Sequence, residues 1–183
     1  MNYSSSVTIE EHHNEKVIAF KVDCENPESV AWGLISKWCV ENISDRTSRR
    51  YLGIAPIGHH PGGNSHQNAS EKEVHPYIAM MFLEGDECEK KTFHGQEVLD
   101  APEGLFLVNN VSLNQYDKNG KLDMALSMMK ASEAFVEFIN KSDQYEFDCG
   151  KGIFFEEHIF SEKWFEHGGV PTGFKMWVPI SKK

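Results

Sequence analysis

Two copies of one order of predicted elements run along this chain, and this duplication limits the folds that it can adopt. Each copy contains a strand, a helix and two further strands, with corresponding elements roughly 90 to 100 residues apart. The predicted strands are 17–22, 51–57 and 77–83 in the first copy and 105–108, 153–160 and 174–180 in the second, and the predicted helices begin at Pro27 and span 122–140.

Each copy also has a short opening strand, at 7–10 and at 97–100, which makes it a β-β-α-β-β-like half. The halves cover about 1–84 and about 93–183, and a charged stretch joins them. We therefore expect a single α+β domain over 1–183, in which two pseudo-symmetric halves form one mostly antiparallel sheet with both main helices on one face. The groove between the helices, over the sheet, is the expected concave site.

The two helices have recognisable starts and faces. Asn26, Pro27 and Glu28 supply a cap residue, a proline for the first helical position and an acid for the first turn. Spacing of three and four predicts which side chains are buried. These are Val30, Ala31, Leu34, Ile35, Trp38 and Cys39 in the first helix and Leu122, Ala125, Leu126, Met129, Val136 and Ile139 in the second.

Composition allows a core of this kind but restricts the partners. Of 183 residues, 40% are hydrophobic, and the formal net charge is −10. With only one short basic cluster, at 46–50, we expect no direct nucleic-acid partner. No apolar run approaches membrane-spanning length, so we expect no membrane partner. The four cysteines lack paired spacing, and without a recognisable signal peptide we interpret them as reduced thiols of a cytoplasmic protein.

The predicted strand at 153–160 carries charges that a buried strand should not hold. Its apolar ends enclose Glu156, Glu157 and His158. Because burial of an ionised carboxylate is unfavourable unless it is paired, the strand is either an exposed edge or the floor of a polar site within aromatic walls. Strand alternation places Phe154, Glu156 and His158 on one face and Glu157 on the other.

Three segments resemble GyrI-like domains, and together with the duplication they cover most of the chain. Residues 31–42 resemble the first helix of these domains, often Ala-Trp-x-x-Leu-x-x-Trp, although the leucine here comes one residue early or is replaced by Ile35. Phe155-Glu156-Glu157-His158 resembles the Phe-Glu-x-Tyr strand. Met176-Trp177-Val178-Pro179-Ile180 resembles the closing aromatic-x-Pro-Ile/Val strand.

The resemblance implies a small-molecule-binding domain with an aromatic pocket and a floor glutamate that meets cationic or polar ligands. The glutamate position falls on Glu156 and the closing aromatic position on Trp177. His158 stands where the family has tyrosine, and this departure puts any tyrosine-dependent step in question. Some stand-alone members resemble cyclopropanoid hydrolases, which open the cyclopropane ring of DNA-alkylating toxins.

Glu156 and His158 are the candidate catalytic residues under this interpretation. If aromatic groups enclose Glu156, it could deprotonate a water that adds to the strained ring, while His158 donates a proton toward the ring-conjugated carbonyl. The alternative for Glu156 is a surface carboxylate on an edge strand.

Several aromatic residues are candidates for ligand contacts, each with core packing as its alternative. Tyr77 and Trp177 lie on matching strands of the two halves, and Trp32 lies near the start of the first helix. Trp164 lies in a charged loop, where we expect it to form a lid or a pocket wall. Phe154 completes this set, whereas we assign Trp38 to the core.

A histidine-rich loop at 58–75 contains His59, His60, His66 and His75. Their spacing matches no strong metal motif, so we predict no metal and no other cofactor, and we expect the loop to form a mobile cover over the groove.

Three functions remain open from the sequence. The first is a stand-alone hydrolase that detoxifies cyclopropanoid xenobiotics. The second is a non-catalytic module that binds or sequesters drugs; no basic helix-turn-helix is recognisable, so direct transcription regulation is not expected. The third is a metal-dependent hydrolase that uses the histidine loop.

Overall fold

The computed structural model describes residues 7–55, 75–113, 115–116, 118–148 and 154–183. Within these ranges the strands are β1 Thr8–His12, β2 Lys16–Cys24, β3 Tyr51–Ala55, β4 His75–Phe82, β5 Thr92–Phe93, β6 Gln96–Glu97, β7 Leu99–Asp100, β8 Gly104–Val111, β9 Tyr145–Phe147, β10 Phe154–Ile159 and β11 Gly173–Lys182. The helices are α1 Pro27–Asn42, α2 Met124–Lys141 and α3 Glu162–His167. None of the helices in this part of the chain is long and apolar enough to cross a bilayer.

One antiparallel sheet contains most of the strands, in the order β1-β8-β11-β10-β3-β4-β2-β7, with β9 added to β11. The first half supplies β2, β4 and β3, and the second half supplies β8, β11 and β10. The halves meet where β3 pairs with β10. This arrangement confirms the predicted α+β fold of two pseudo-symmetric halves.

The opening strands are exchanged between the halves. β1 precedes the first half in the chain but pairs with β8 of the second. β7 precedes the second half but pairs with β2 of the first. Each half therefore contributes its opening strand to the part of the sheet that the other half forms.

Short connections force the sheet to curl. Only residues 13–15 separate β1 from β2, although six strand spacings lie between them in the sheet order. A flat sheet would place these strands about 29 Å apart, whereas the connecting chain can reach about 15 Å. The curl brings Val17 of β2 and Phe106 of β8 into one core cluster on the inner face.

Both main helices pack on the other face. α1 covers β2 and β4, and α2 covers β8, β9 and β11. α1 begins at Pro27 as predicted, and α2 begins at Met124, where the Asp123 carboxylate accepts from the Leu126 N–H. Leu122 lies before α2 and forms a bridge with Tyr116 instead.

The predicted helix faces are partly wrong. Val30 and Leu34 of α1 are exposed, as are Met129 and Val136 of α2. Apolar residues lie on several sides of both helices, so periodicity alone cannot say which side meets the sheet. The side of each helix that packs closely against the sheet carries small and aromatic residues. The buried residues are Ala31, Trp32, Ile35, Trp38 and Cys39 in α1 and Ser127, Ala131, Ala134 and Phe135 in α2.

A charged network on the inner face of the sheet holds Glu157. Its side chain is only 6% exposed, and its Oε1 accepts from Arg50 Nε at 3.1 Å, while Lys175 Nζ lies 3.6 Å from Oε2. Arg50 also donates to Glu15 at 2.6 Å and lies 4.1 Å above the Phe82 ring. The network joins the start of β3, through the preceding Arg50, and the strands β10 and β11 to the β1–β2 connection.

We expect Arg50→Met to lower the free energy of unfolding by about 2–3 kcal/mol, because it leaves a buried carboxylate without its main cation. Urea denaturation measures the change. Lys37→Met, at an exposed position of α1, is the control and should change stability by less than about 0.5 kcal/mol. Equal effects of the two substitutions would show that the network contributes nothing specific.

Candidate functional site

Glu156 and His158 project from β10 toward the helices. Glu156 lies opposite Gly53 of β3 and Met176 of β11, and His158 lies opposite Tyr51 and Phe174. The side chains of both residues are mostly buried, with 16% exposure for Glu156 and 7% for His158, and His158 Nε2 lies 3.3 Å from Glu156 Oε2. β10 has a neighbouring strand on each side, β3 and β11. Glu156 and His158 therefore do not lie on an exposed sheet edge.

The first turn of α1 covers this part of the sheet. Glu28 and Trp32 are one turn apart, so their side chains share a face of the helix. Trp32 Nε1 donates to the Tyr77 hydroxyl at 3.1 Å. Its ring centroid lies 4.6 Å from that of His158. We call the group formed by Glu28, Trp32, Tyr77, Glu156 and His158 the α1 site.

Gly53 makes room for the aromatic pair beneath α1. A Cβ at this position would overlap the Tyr77 hydroxyl oxygen and lie 3.0 Å from the Trp32 ring. Because Gly53 has no side chain, the Tyr77 side chain can pass over β3 and reach Trp32. A glycine within a strand often marks such a close approach of another group.

α3 closes one side of the α1 site, although the sequence predicts only a loop here. The Ser161 hydroxyl caps the helix by accepting from the Trp164 N–H at 3.3 Å. The Trp164 ring stacks on Phe160 with 3.6 Å between centroids and meets Trp32 edge-on. An ion pair between Arg46 and Glu162 fastens the start of α3 to the turn before β3. Trp164 therefore forms part of the aromatic wall.

Two carboxylates give the α1 site its electrostatic character. Burial raises the pKa of Glu28, and the nearby Glu156 raises it further. Burial also raises the pKa of Tyr77 well above its ordinary value, with Glu156 and Glu28 adding to the effect. Tyr77 is therefore a neutral hydroxyl, and because its oxygen accepts from Trp32, its proton is available to another acceptor.

No lysine or arginine in the described ranges pairs with Glu28 or Glu156. This contrasts with other enclosed carboxylates, since Glu157 pairs with Arg50 and Glu87 pairs with Arg49. Such a site can attract a positive group, hold it against aromatic faces and offer a neutral hydroxyl as a donor.

The structure brings together most, but not all, of the predicted site residues. Glu156, His158, Tyr77, Trp32 and Trp164 lie in or beside the α1 site. Phe154 shares their face of β10 but packs with the cluster beneath α2.

Trp177 is not part of the α1 site. It pairs with Phe155 rather than with Glu156, so strand alternation turns it to the inner face of the sheet. There it is 1% exposed and stacks on His12 at 4.2 Å between ring centroids.

The sequence prediction does not include Glu28 of the α1 site, nor Gly53 and Phe160, which lie beside the site. The spacing of four between Glu28 and Trp32 and the isolated glycine in β3 are signals that could have indicated the first two. The histidine-rich loop lies outside the described residues except for the backbone of His75, which begins β4.

Comparison with known proteins supports the fold. Neither protein-family models nor curated proteins give a match to this sequence. Among solved structures, the crystal structure of the EcmrR C-terminal domain matches with a TM-score of 0.57 over 98% of this chain and 99% of that chain, at 9% sequence identity. The chain therefore shares the fold of the EcmrR C-terminal domain. At this identity the likeness concerns the fold alone.

We expect Gly53→Ala to lower the free energy of unfolding by about 1–3 kcal/mol, because the new methyl group must displace Tyr77 or Trp32. Thermal or urea unfolding measures the change, and Trp32 fluorescence should report the altered contact.

Gly33→Ala is the matched control for that substitution. Gly33 is exposed on α1, and an added Cβ would meet nothing within 4 Å. We expect this change to stabilise the protein by about 0.5–1 kcal/mol through helix propensity. A neutral Gly53→Ala variant would contradict the close approach described above.

Proposed function

We propose that this chain binds organic cations that carry an aromatic group, and that it does so at the α1 site. The observation that carries this proposal is the pair of enclosed carboxylates, Glu28 and Glu156, with which no lysine or arginine of the described residues pairs; Glu156 has His158 as its neighbour at 3.3 Å. Aromatic faces next to these carboxylates add cation–π attraction and apolar contact. A bound cation would supply the charge that Arg50 supplies to Glu157 on the other face of the sheet.

The fold is compatible with this proposal. The resemblance to GyrI-like domains implies an aromatic pocket with a glutamate in its floor, and Glu156 occupies that position on β10. The α1 site differs from the expectation in two respects, since Trp177 lies elsewhere and Glu28 adds a second carboxylate. The ligand would therefore contact α1 and β10 rather than the closing strand.

Binding can be tested with two probes of nearly equal shape, the cation 1-methyl-4-phenylpyridinium and the neutral 4-methylbiphenyl. We expect quenching of tryptophan fluorescence and calorimetric heat with the cation, and binding at least about tenfold weaker with the neutral probe. Glu156→Gln should weaken cation binding by about tenfold or more, because the carboxylate charge is lost while the shape is retained.

Glu41→Gln, at the exposed end of α1, is the control for charge and should leave the affinity unchanged. Equal affinity for the two probes, or unaltered binding by Glu156→Gln, would contradict the proposal.

Hydrolysis of a cyclopropanoid xenobiotic is a second candidate function. The observation in its favour is the 3.3 Å approach of His158 Nε2 to Glu156 Oε2, together with the neutral Tyr77 hydroxyl nearby. Glu156 would take a proton from water as the water oxygen bonds to a ring carbon. The ring C–C bond would break, its electrons would move into the conjugated carbonyl, and His158 or Tyr77 would protonate that oxygen.

Mass spectrometry tests this reaction, because ring opening by water adds the mass of one water to a cyclopropane-bearing alkylator. We expect turnover by the wild type and a loss of at least about a hundredfold in Glu156→Gln. If the protein binds the cation but does not turn over the alkylator, hydrolysis is excluded and the protein acts as a binding module. Unchanged turnover in Glu156→Gln would exclude this mechanism.

A further inference from the structure

Glu28 gives the α1 site a second anionic group on a different structural element from the first. Glu156 belongs to β10 in the sheet, whereas Glu28 belongs to the first turn of α1, one turn before Trp32. Tyr77 accepts a hydrogen bond of 3.1 Å from Trp32, one turn after Glu28, and both carboxylates raise the pKa of Tyr77, so the three groups form one electrostatic unit.

We propose that Glu28 determines specificity and makes the α1 site prefer an organic dication over a monocation of the same shape. This inference rests on the proposed function and specifies its ligand class. The ligand would be a compact aromatic molecule with two positive groups, one facing Glu156 and the other facing Glu28.

The charges in the site support a dication. With both carboxylates ionised the α1 site carries two negative charges, and no lysine or arginine of the described ranges offsets either of them. A monocation can pair with only one carboxylate and leaves the other enclosed and unpaired, which is unfavourable in partly buried surroundings. A dication pairs with both.

Proton exchange provides a second consequence. Glu28 faces Glu156 and His158 from β10 and Tyr77 from β4, and its raised pKa means that it takes up a proton more readily than an ordinary glutamate. A positive group beside Glu28 favours its ionised form, so dication binding should release protons where the pH has fallen close to the raised pKa of Glu28 and part of the protein carries that proton. As the pH falls toward the raised pKa of Glu28, the preference for the dication should decline.

The experiment compares 1,1′-dimethyl-4,4′-bipyridinium, a dication, with 1-methyl-4-phenylpyridinium, a monocation of nearly the same shape. Calorimetry at neutral pH should give about tenfold tighter binding of the dication. Glu28→Gln should weaken dication binding more than monocation binding, which brings the ratio of affinities close to one. Glu41→Gln on the same helix should keep the wild-type ratio.

Two further measurements separate charge from structure. Thermal unfolding of Glu28→Gln establishes that the variant is folded. Dication titrations of the wild type at a series of acidic pH values, in buffers with different ionisation enthalpies, measure proton release without any substitution. Both measurements are made on the wild type and on Glu28→Gln, so the difference between the two proteins isolates Glu28.

The outcomes distinguish this inference from the proposed function. If the wild type binds neither probe, both are wrong. If the wild type binds the monocation as tightly as the dication, or if Glu28→Gln keeps the wild-type ratio of affinities, the proposed specificity role of Glu28 is contradicted. Neither of these outcomes contradicts cation binding at Glu156. Dication binding that is tighter at neutral pH, loses this advantage in Glu28→Gln and releases protons at acidic pH would support the inference.

Discussion

Two short connections constrain the whole molecule. Residues 13–15 between β1 and β2, and residues 101–103 between β7 and β8, each join strands that lie far apart in the sheet order. Because so few residues cannot span a flat sheet of this width, the sheet must curl. The curl gives the sheet an inner face with its own core and leaves the other face for the helices. The exchange of opening strands then holds the two halves together.

The curl places two adjacent glutamates in opposite environments. Glu157 faces the inner side, where Arg50 and Lys175 neutralise it and Phe82 and Trp177 lie nearby. Glu156 faces α1, where aromatic rings and a second carboxylate surround it and no described lysine or arginine pairs with it. One strand therefore contributes to stability through one side chain and to the α1 site through the next. This separation explains how a buried strand can hold both charges.

Local patterns in the sequence were sufficient for much of the fold and for part of the site. Alternation located the strands and assigned Glu156 and His158 to one face, and the duplication led to the single sheet with both helices on one side. Helix faces were less accurate, since α1 and α2 carry apolar residues on several sides. The short helix α3 escaped prediction because its charged, aromatic sequence has no apolar period, although Ser161 and Gly168 mark its ends.

The sequence by itself determined the order of the elements, the pseudo-symmetry and the two-faced character of β10, because these follow from periodicity and from residue types that are close in the chain. Only the tertiary structure decided that Trp177 faces away from Glu156, that Glu28 and Tyr77 approach Glu156, and that Gly53 makes space for this approach. These relations depend on strand register, on the curl of the sheet and on the rotation of α1 about its axis. Such quantities arise from contacts between residues that are far apart in the sequence.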